Sequence, residues 1–157
     1  MARIVELREV ENLLSRKNKG RIVLTGGCFD ILHVGHVRFL SEAKKLGDTL
    51  VVLLESDENV KKLKGKNRPV FIQKERAEML SALRSVDFIV LLPMMESDGD
   101  YSDLVMRIKP DIIVLTERDP LFEKKKEQAK KVGGELKVVS LTETYSTSKL
   151  GGILGLD

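Results

Sequence analysis

Short apolar runs rich in β-branched residues alternate along this chain with segments whose apolar residues recur at helical spacing. No other feature constrains the fold as much. Residues 21–25 (RIVLT), 49–54, 88–92, 112–115 and 136–139 read as strands, and 34–46, 73–84, 101–108 and 121–132 as helices. Gly47 and the pair Gly133-Gly134 supply helix stops. The run 49–54 is apolar nearly throughout, the pattern of a parallel strand covered on both faces. Strands and helices alternating at this spacing predict βαβ units, hence an α/β fold with a doubly wound, five-stranded parallel sheet. Ahead of it, Val5, Leu7, Val10, Leu13 and Leu14 are mixed with charges and predict a helical arm over residues 1–20, ended by Asn18 and Gly20. Residues 21–157 are then the single domain, with 56–69 a polar, lysine-rich loop.

Composition narrows the function classes. A chain of 157 residues with 42% hydrophobic side chains can fill one core, and with 4% aromatics and no Trp that core is aliphatic. The longest apolar stretches fall far short of a membrane span. The charged N-terminus, with Arg3, Glu6, Arg8 and Glu9, lacks the apolar segment of a signal peptide. One cysteine excludes an internal disulfide and fits a reducing cytoplasm. A net charge of +3 with few aromatics argues against nucleic acid and suits a small polyanion such as a nucleoside triphosphate.

In doubly wound sheets ligands bind beyond the carboxyl ends of the strands, where strand order reverses. The loop after the first strand of the domain reads Gly26-Gly27-Cys28-Phe29-Asp30-Ile31-Leu32-His33-Val34-Gly35-His36, and it contains both histidines of the chain. At a helix start, residues three apart project from one side. Gly35 between them leaves room for a phosphate, and the helix N-terminus adds unpaired N–H groups and a positive dipole end.

The stretch GGCFDILHVGHVRFLSEAKKLGD resembles the signature of the HxGH nucleotidyltransferases, the Rossmann-like, cytidylyltransferase-like superfamily. It is similar in particular to heptose 1-phosphate adenylyltransferase domains, and also to glycerol-3-phosphate cytidylyltransferases and archaeal FAD synthases. A second family mark, Tyr145-Ser146-Thr147-Ser148-Lys149, stands where relatives open a last helix, and the segment QKERAEMLSALRSVDFIV matches an arginine-bearing helix. The resemblance implies transfer of a nucleoside monophosphate from a triphosphate to a small phosphorylated acceptor, with pyrophosphate released. It prefers ATP with a sugar 1-phosphate; CTP with glycerol 3-phosphate is the alternative, followed by ATP with FMN. It implies His33, His36 and Lys64 as catalytic residues. Gly27, Cys28, Phe29, Asp30, Gly35, Ser146, Thr147 and Ser148 would bind the nucleotide. Arg76, Arg84, Thr116 and Thr142 would contact phosphate or acceptor. A Mg²⁺ ion would be held mainly by substrate phosphates, with no dedicated protein ligands. Relatives are often dimers, so a homodimer is implied.

Other readings of the same residues stand beside these. The histidines could pack or cap, Cys28 with His33 and His36 could bind zinc, and Asp30 could cap a turn or orient the loop. The chain could also be a regulatory module that binds a nucleotide without turning it over. It departs from the family at Gly26, where heptose relatives carry Asn. It departs again at Leu115-Thr116-Glu117-Arg118-Asp119, which replaces a Gly- and Asp-rich turn, and at Leu141 and Tyr145.

Overall fold

Every side chain of Thr49–Leu54 is buried, which a strand achieves only when both faces of its sheet are covered. The computed structural model describes residues 1–10, 20–140 and 147–155. Its strands are β1 (Arg3–Glu6), β2 (Ile22–Gly27), β3 (Thr49–Leu54), β4 (Phe88–Leu91), β5 (Ile112–Thr116) and β6 (Glu135–Val139). They pair in parallel in the order β1-β4-β3-β2-β5-β6. The helices are α1 (Val34–Lys44), α2 (Asp57–Lys64), α3 (Gln73–Ser81), α4 (Asp98–Ile108), α5 (Phe122–Lys131) and α6 (Thr147–Ile153). Among the described residues no helix is long and apolar enough to cross a membrane.

Alternate residues of β3 serve opposite layers. Leu50, Val52 and Leu54 pack with Phe39, Leu40 and Ala43 of α1 and with Ala77 and Leu80 of α3. Val51 and Leu53 pack with Leu104, Val105 and Ile108 of α4 and with Ala129 of α5. The doubly wound expectation holds, with two corrections. The sheet has six strands rather than five, because Arg3–Glu6, expected in a helical arm, pairs with β4 at the sheet edge. Only Val5 of those four residues is buried, so the strand signal is one residue deep and was masked by the helical spacing that follows it. The rest of the expected arm, residues 11–19, lies outside the described residues. Second, the lysine-rich stretch expected as a loop contains α2. It is capped by Ser56, whose side chain accepts the Asn59 N–H, with Asp57 and Glu58 in its first turn and Lys61, Lys62 and Lys64 in its last. Val60 is its one buried apolar residue, so no apolar stripe announced it.

The two ends of the sheet differ in chemistry. At the amino end, aspartates hold the strand entrances: Asp48 accepts Arg21 N–H at 2.7 Å, Asp111 accepts Ile22 N–H at 2.7 Å, and Asp87 accepts Leu50 N–H at 2.7 Å and Lys44 Nζ at 2.6 Å. At the carboxyl end the chain reverses its order. From β2 it winds outward to β3 and β4, then returns to lay β5 on the other flank of β2. The β2–β5 ladder runs only to Leu24 and Ile113, although the strands continue to Gly27 and Thr116. Beyond it the Thr25 hydroxyl donates to the Val114 carbonyl at 3.1 Å. The backbone ladder thus ends short of the strand tips at the switch point, the place where doubly wound sheets form their ligand crevice.

Asp87 works at the amino end alone. Asp87→Ala removes the partner of a buried-strand N–H and should cost about 1–3 kcal/mol. Urea unfolding checks this, and ligand binding at the opposite end should be unchanged.

Candidate active site

The chain leaves β2 at Gly27 and reaches α1 through residues 28–33. Phe29 turns this corner with φ of 45°, a left-handed conformation that costs a bulky residue on the order of 1 kcal/mol or more. Its buried ring lies against Gly27, where a Cβ would come within 3.0 Å of the ring. The same ring meets His36 edge-on at a centroid distance of 5.0 Å, and His36 stacks on His33 at 3.8 Å. The strained corner thereby sets the positions of both imidazoles.

His33 is itself the N-cap of α1: its Nδ1 accepts the Gly35 N–H at 3.1 Å. A nitrogen that accepts carries no proton, so this bond assigns the proton of neutral His33 to Nε2, on the other side of the ring. Protonating Nδ1 would break the cap, and burial holds His33 below the usual histidine pKa. Burial, reinforced by the charge of a protonated His33, pushes His36 down to about 3. Nδ1 of His36 is buried without a hydrogen-bond partner among the described residues. The site therefore presents two neutral imidazoles at the positive end of a helix, a combination that favours an anion.

Asp30 is fully buried, and it orients the loop rather than capping a turn. Its Oδ2 accepts Arg68 Nε at 2.5 Å, and its Oδ1 accepts the N–H groups of Val70 and Phe71 at 2.7 and 3.2 Å. Arg76, expected as a phosphate contact, has a different role here. Its side chain has no exposed surface, and its guanidinium donates to the carbonyls of Phe71 (3.0 Å), Cys28 (2.5 Å) and Glu55 (2.9 Å) and to Asp57 Oδ1 (2.7 Å). It fastens the loop to its neighbours, and four of its five N–H donors are engaged by protein acceptors. Arg84 is corrected more simply. It is exposed in the turn between α3 and β4, at the amino end of the sheet, far from the histidine loop.

Other expected residues lie on neighbouring elements. Lys64 ends α2 with its side chain exposed. Cys28 is half-buried; burial and the Glu55 carboxylate push its thiol pKa up, against the pull of Lys64 and Arg76. Thr116 ends β5 beyond the last pair of the β2–β5 ladder, and its carbonyl accepts the Asp119 N–H at 3.2 Å. Thr147 and Ser148 open α6, with Ser148 exposed, whereas Thr142 and Ser146 lie outside the described residues. Sequence reasoning missed Arg68, Asp57 and the group formed by Glu55, Asn59 and Tyr101. The position of Glu55, directly after an apolar strand at the ligand-binding end, was the one available signal for that group.

Among the described residues no three His, Cys, Asp or Glu side chains converge into a cage for a metal ion. The zinc reading thus finds no ligand set among them.

Two outcomes follow from this geometry. Asp30→Ala leaves Arg68 as a buried charge without its carboxylate and should cost about 3–5 kcal/mol. Arg84→Ala should stay within about 0.5 kcal/mol, and urea unfolding compares the two. His36 is neutral in the fold and titrates near 6.5 when unfolded, so the unfolded chain binds more protons below that pH. Its contribution is complete above about pH 6.5 and is lost as pH falls toward 3. Between pH 7 and 5 the protein should lose about 1–2 kcal/mol through this residue, a drop that His36→Gln should remove.

Comparison with known proteins agrees with this architecture. A family model described as Cytidylyltransferase-like matches residues 24–150. The Bifunctional protein HldE of Sulfurimonas denitrificans is 43% identical over 150 residues, covering 94% of this chain and 30% of that protein. Its counterpart in Aliarcobacter butzleri is 41% identical over 147 residues, covering 92% and 29%. The chain thus spans less than a third of the length of these curated relatives. Among solved structures, the lipopolysaccharide core biosynthesis protein of Thermoplasma volcanium superposes with a TM-score of 0.63 at 32% identity, over 80% of this chain and 99% of that one. Pantoate-beta-alanine ligase of Francisella tularensis shares the fold, with a TM-score of 0.64 at 14% identity over 92% of this chain and 69% of that one. With the family model spanning both strand–helix halves of the sheet and the whole histidine loop, the chain belongs to the cytidylyltransferase-like family.

Proposed function

We propose that this chain is a nucleotidylyltransferase that moves adenylate from ATP to a sugar 1-phosphate such as heptose 1-phosphate, releasing pyrophosphate. One observation carries the reading: the stacked, neutral His33–His36 pair at the N-terminus of α1, beside the switch point between β2 and β5. The similarity to HldE proteins and to a lipopolysaccharide core biosynthesis protein supports a saccharide acceptor.

The chemistry asks little of the protein. An acceptor phosphate is already anionic at neutral pH, so no general base is needed. One of its oxygens bonds to the α-phosphorus, the bond from that phosphorus to the bridging oxygen breaks, and pyrophosphate leaves with the electron pair. Catalysis is then positioning and stabilisation of the charge that develops. His33 donates from Nε2, the nitrogen its cap leaves protonated. His36, half-buried against Phe29, supplies a second imidazole in fixed register. The N–H groups of the first turn of α1 and the ammonium of Lys64 add positive potential, and Thr147 and Ser148 at the start of α6 hold the outer phosphates. When bound, Mg²⁺ would neutralise the triphosphate while held by its oxygens. The reaction belongs to the cytoplasm, where Cys28 stays a free thiol.

The test is a matrix of four nucleoside triphosphates against heptose 1-phosphate, other sugar phosphates, glycerol 3-phosphate and FMN, read by pyrophosphate release. ATP with heptose 1-phosphate should give the highest kcat/KM. His33→Ala and His36→Ala should each lower kcat by about 10²–10³, with ATP affinity changed only a few-fold. Triphosphate binding with no pyrophosphate from any pair would instead mark a regulatory module.

A further inference from the structure

We propose that Glu55, oriented by Tyr101 and Asn59, is the group that reads the hydroxyls of the acceptor, on the β3–β4 side of the histidine pair. This rests on the reading of the chain as a transferase to a phosphorylated acceptor, and it names the chemistry of that acceptor: a polyol with neighbouring hydroxyl groups.

Placement comes first. Glu55 follows β3 directly, and its N–H donates to the Gly27 carbonyl at 3.1 Å, so it stands beside the root of the histidine loop. The alternation of β3 puts its side chain on the face of Val51 and Leu53, toward α4. There Tyr101 of α4 offers its hydroxyl to both carboxylate oxygens at 2.9 Å, and Asn59 Nδ2 donates to Oε2 at 3.0 Å and to the Tyr101 oxygen at 3.1 Å. Asn59 is buried, so the geometry is held by the start of α2.

The carboxylate is oriented but not used up. Its two oxygens offer about four acceptor sites. One hydroxyl hydrogen and one amide hydrogen occupy two of them. No cation pairs with it among the described residues. Burial and Glu55 itself keep the Tyr101 hydroxyl protonated well beyond the ordinary tyrosine range, so it stays a donor. A half-buried carboxylate beside a polyanion site repels phosphate, and the groups it attracts there are hydrogen-bond donors. Sugar hydroxyls fill the remaining acceptor sites at the cost of one desolvated bond each. Glu55 and Lys64 both act on the Cys28 thiol, in opposite directions, so a carboxylate and an ammonium both lie within electrostatic reach of that residue. The acceptor accordingly lies with its phosphate toward Lys64 and the imidazoles and its hydroxyls toward Glu55.

Cys28, the one cysteine of the chain, supplies a readout that does not need turnover. Its alkylation rate at pH 8.5 is measured against increasing heptose 1-phosphate, glycerol 3-phosphate or inorganic phosphate. Heptose 1-phosphate should protect Cys28 in the wild type. Glu55→Gln, which keeps an acceptor for Tyr101, should raise the half-protecting concentration about 10- to 100-fold. Tyr101→Phe should raise it less. Protection by inorganic phosphate and by ATP should be unchanged or stronger in Glu55→Gln, because a negative charge is gone. In steady state, KM for the acceptor should rise while KM for ATP holds. A sugar-phosphate response within twofold of wild type, an equal weakening of ATP and inorganic phosphate, or no protection of the wild type by any hydroxylated phosphate would each overturn the assignment. A wild type that is protected yet releases no pyrophosphate would sink the transferase reading and leave the Glu55 subsite standing.

Discussion

A charge with no exposed surface must be surrounded by acceptors, and Arg76 meets that demand with three backbone carbonyls and one carboxylate. The partners come from separate stretches of chain: Cys28 after β2, Glu55 and Asp57 around the end of β3, and Phe71 ahead of α3. Satisfying one guanidinium thereby fixes the mutual placement of the loop, the strand end and the start of α2. The Asp30–Arg68 pair repeats the arrangement from the loop side, with Val70 and Phe71 donating to the same carboxylate. Lys64 lies in sequence between Asp57, held by Arg76, and Arg68, held by Asp30, and the histidines follow Asp30 within six residues. Groups proposed to act together on one phosphate chain thus stand on a single buried polar scaffold.

On that scaffold the imidazoles are kept neutral by structure as well as by burial. The cap bond uses Nδ1 of His33, and the ring stack sets His36 against both His33 and Phe29. Two protonated rings 3.8 Å apart would repel. A bound polyanion reverses this balance, because its charge favours protonated or strongly donating imidazoles. The site is organised to respond to an anion and to carry little charge of its own without one.

Much of this was legible in the residues, and what was not has physical causes. Strand and helix periods are properties of long segments, so the alternation, the parallel sheet and the loop with both histidines could be read directly. Arg3–Glu6 was not, because a four-residue edge strand with one buried side chain, Val5, leaves almost no pattern. Helix α2 was hidden for a similar reason, being stabilised by its cap and end charges, with Val60 alone as apolar anchor. Arg76 was visible as a residue but not as a role. An arginine aimed at phosphate and one aimed at carbonyls look alike until the fold places acceptors around it. Asp30 shows the converse: it was readable as a loop residue, but its partners Arg68, Val70 and Phe71 lie about forty residues on.

The two flanks of the histidine loop then differ in a way that bears on specificity. Toward β5 the backbone ladder ends early, and the exposed turn after Thr116 is held by local bonds of Asp119 to Leu121 N–H and Lys125. Toward β3 the chain has built a charged, interlocked corner from Glu55, Asn59, Tyr101 and Arg76. A triphosphate needs N–H groups and cations, which on the proposed reading the loop, the start of α1 and Lys64 would supply whatever the acceptor. An acceptor must be told from other phosphates by its uncharged part, and that takes oriented acceptors held rigidly beside the phosphate site. The β3 flank has such an acceptor in Glu55, held by Tyr101 and Asn59. On the proposed reading, changes of substrate within this architecture are accordingly to be sought at the carboxyl end of β3 and the facing turn of α4, where one side chain would alter what is recognised without disturbing the histidine loop.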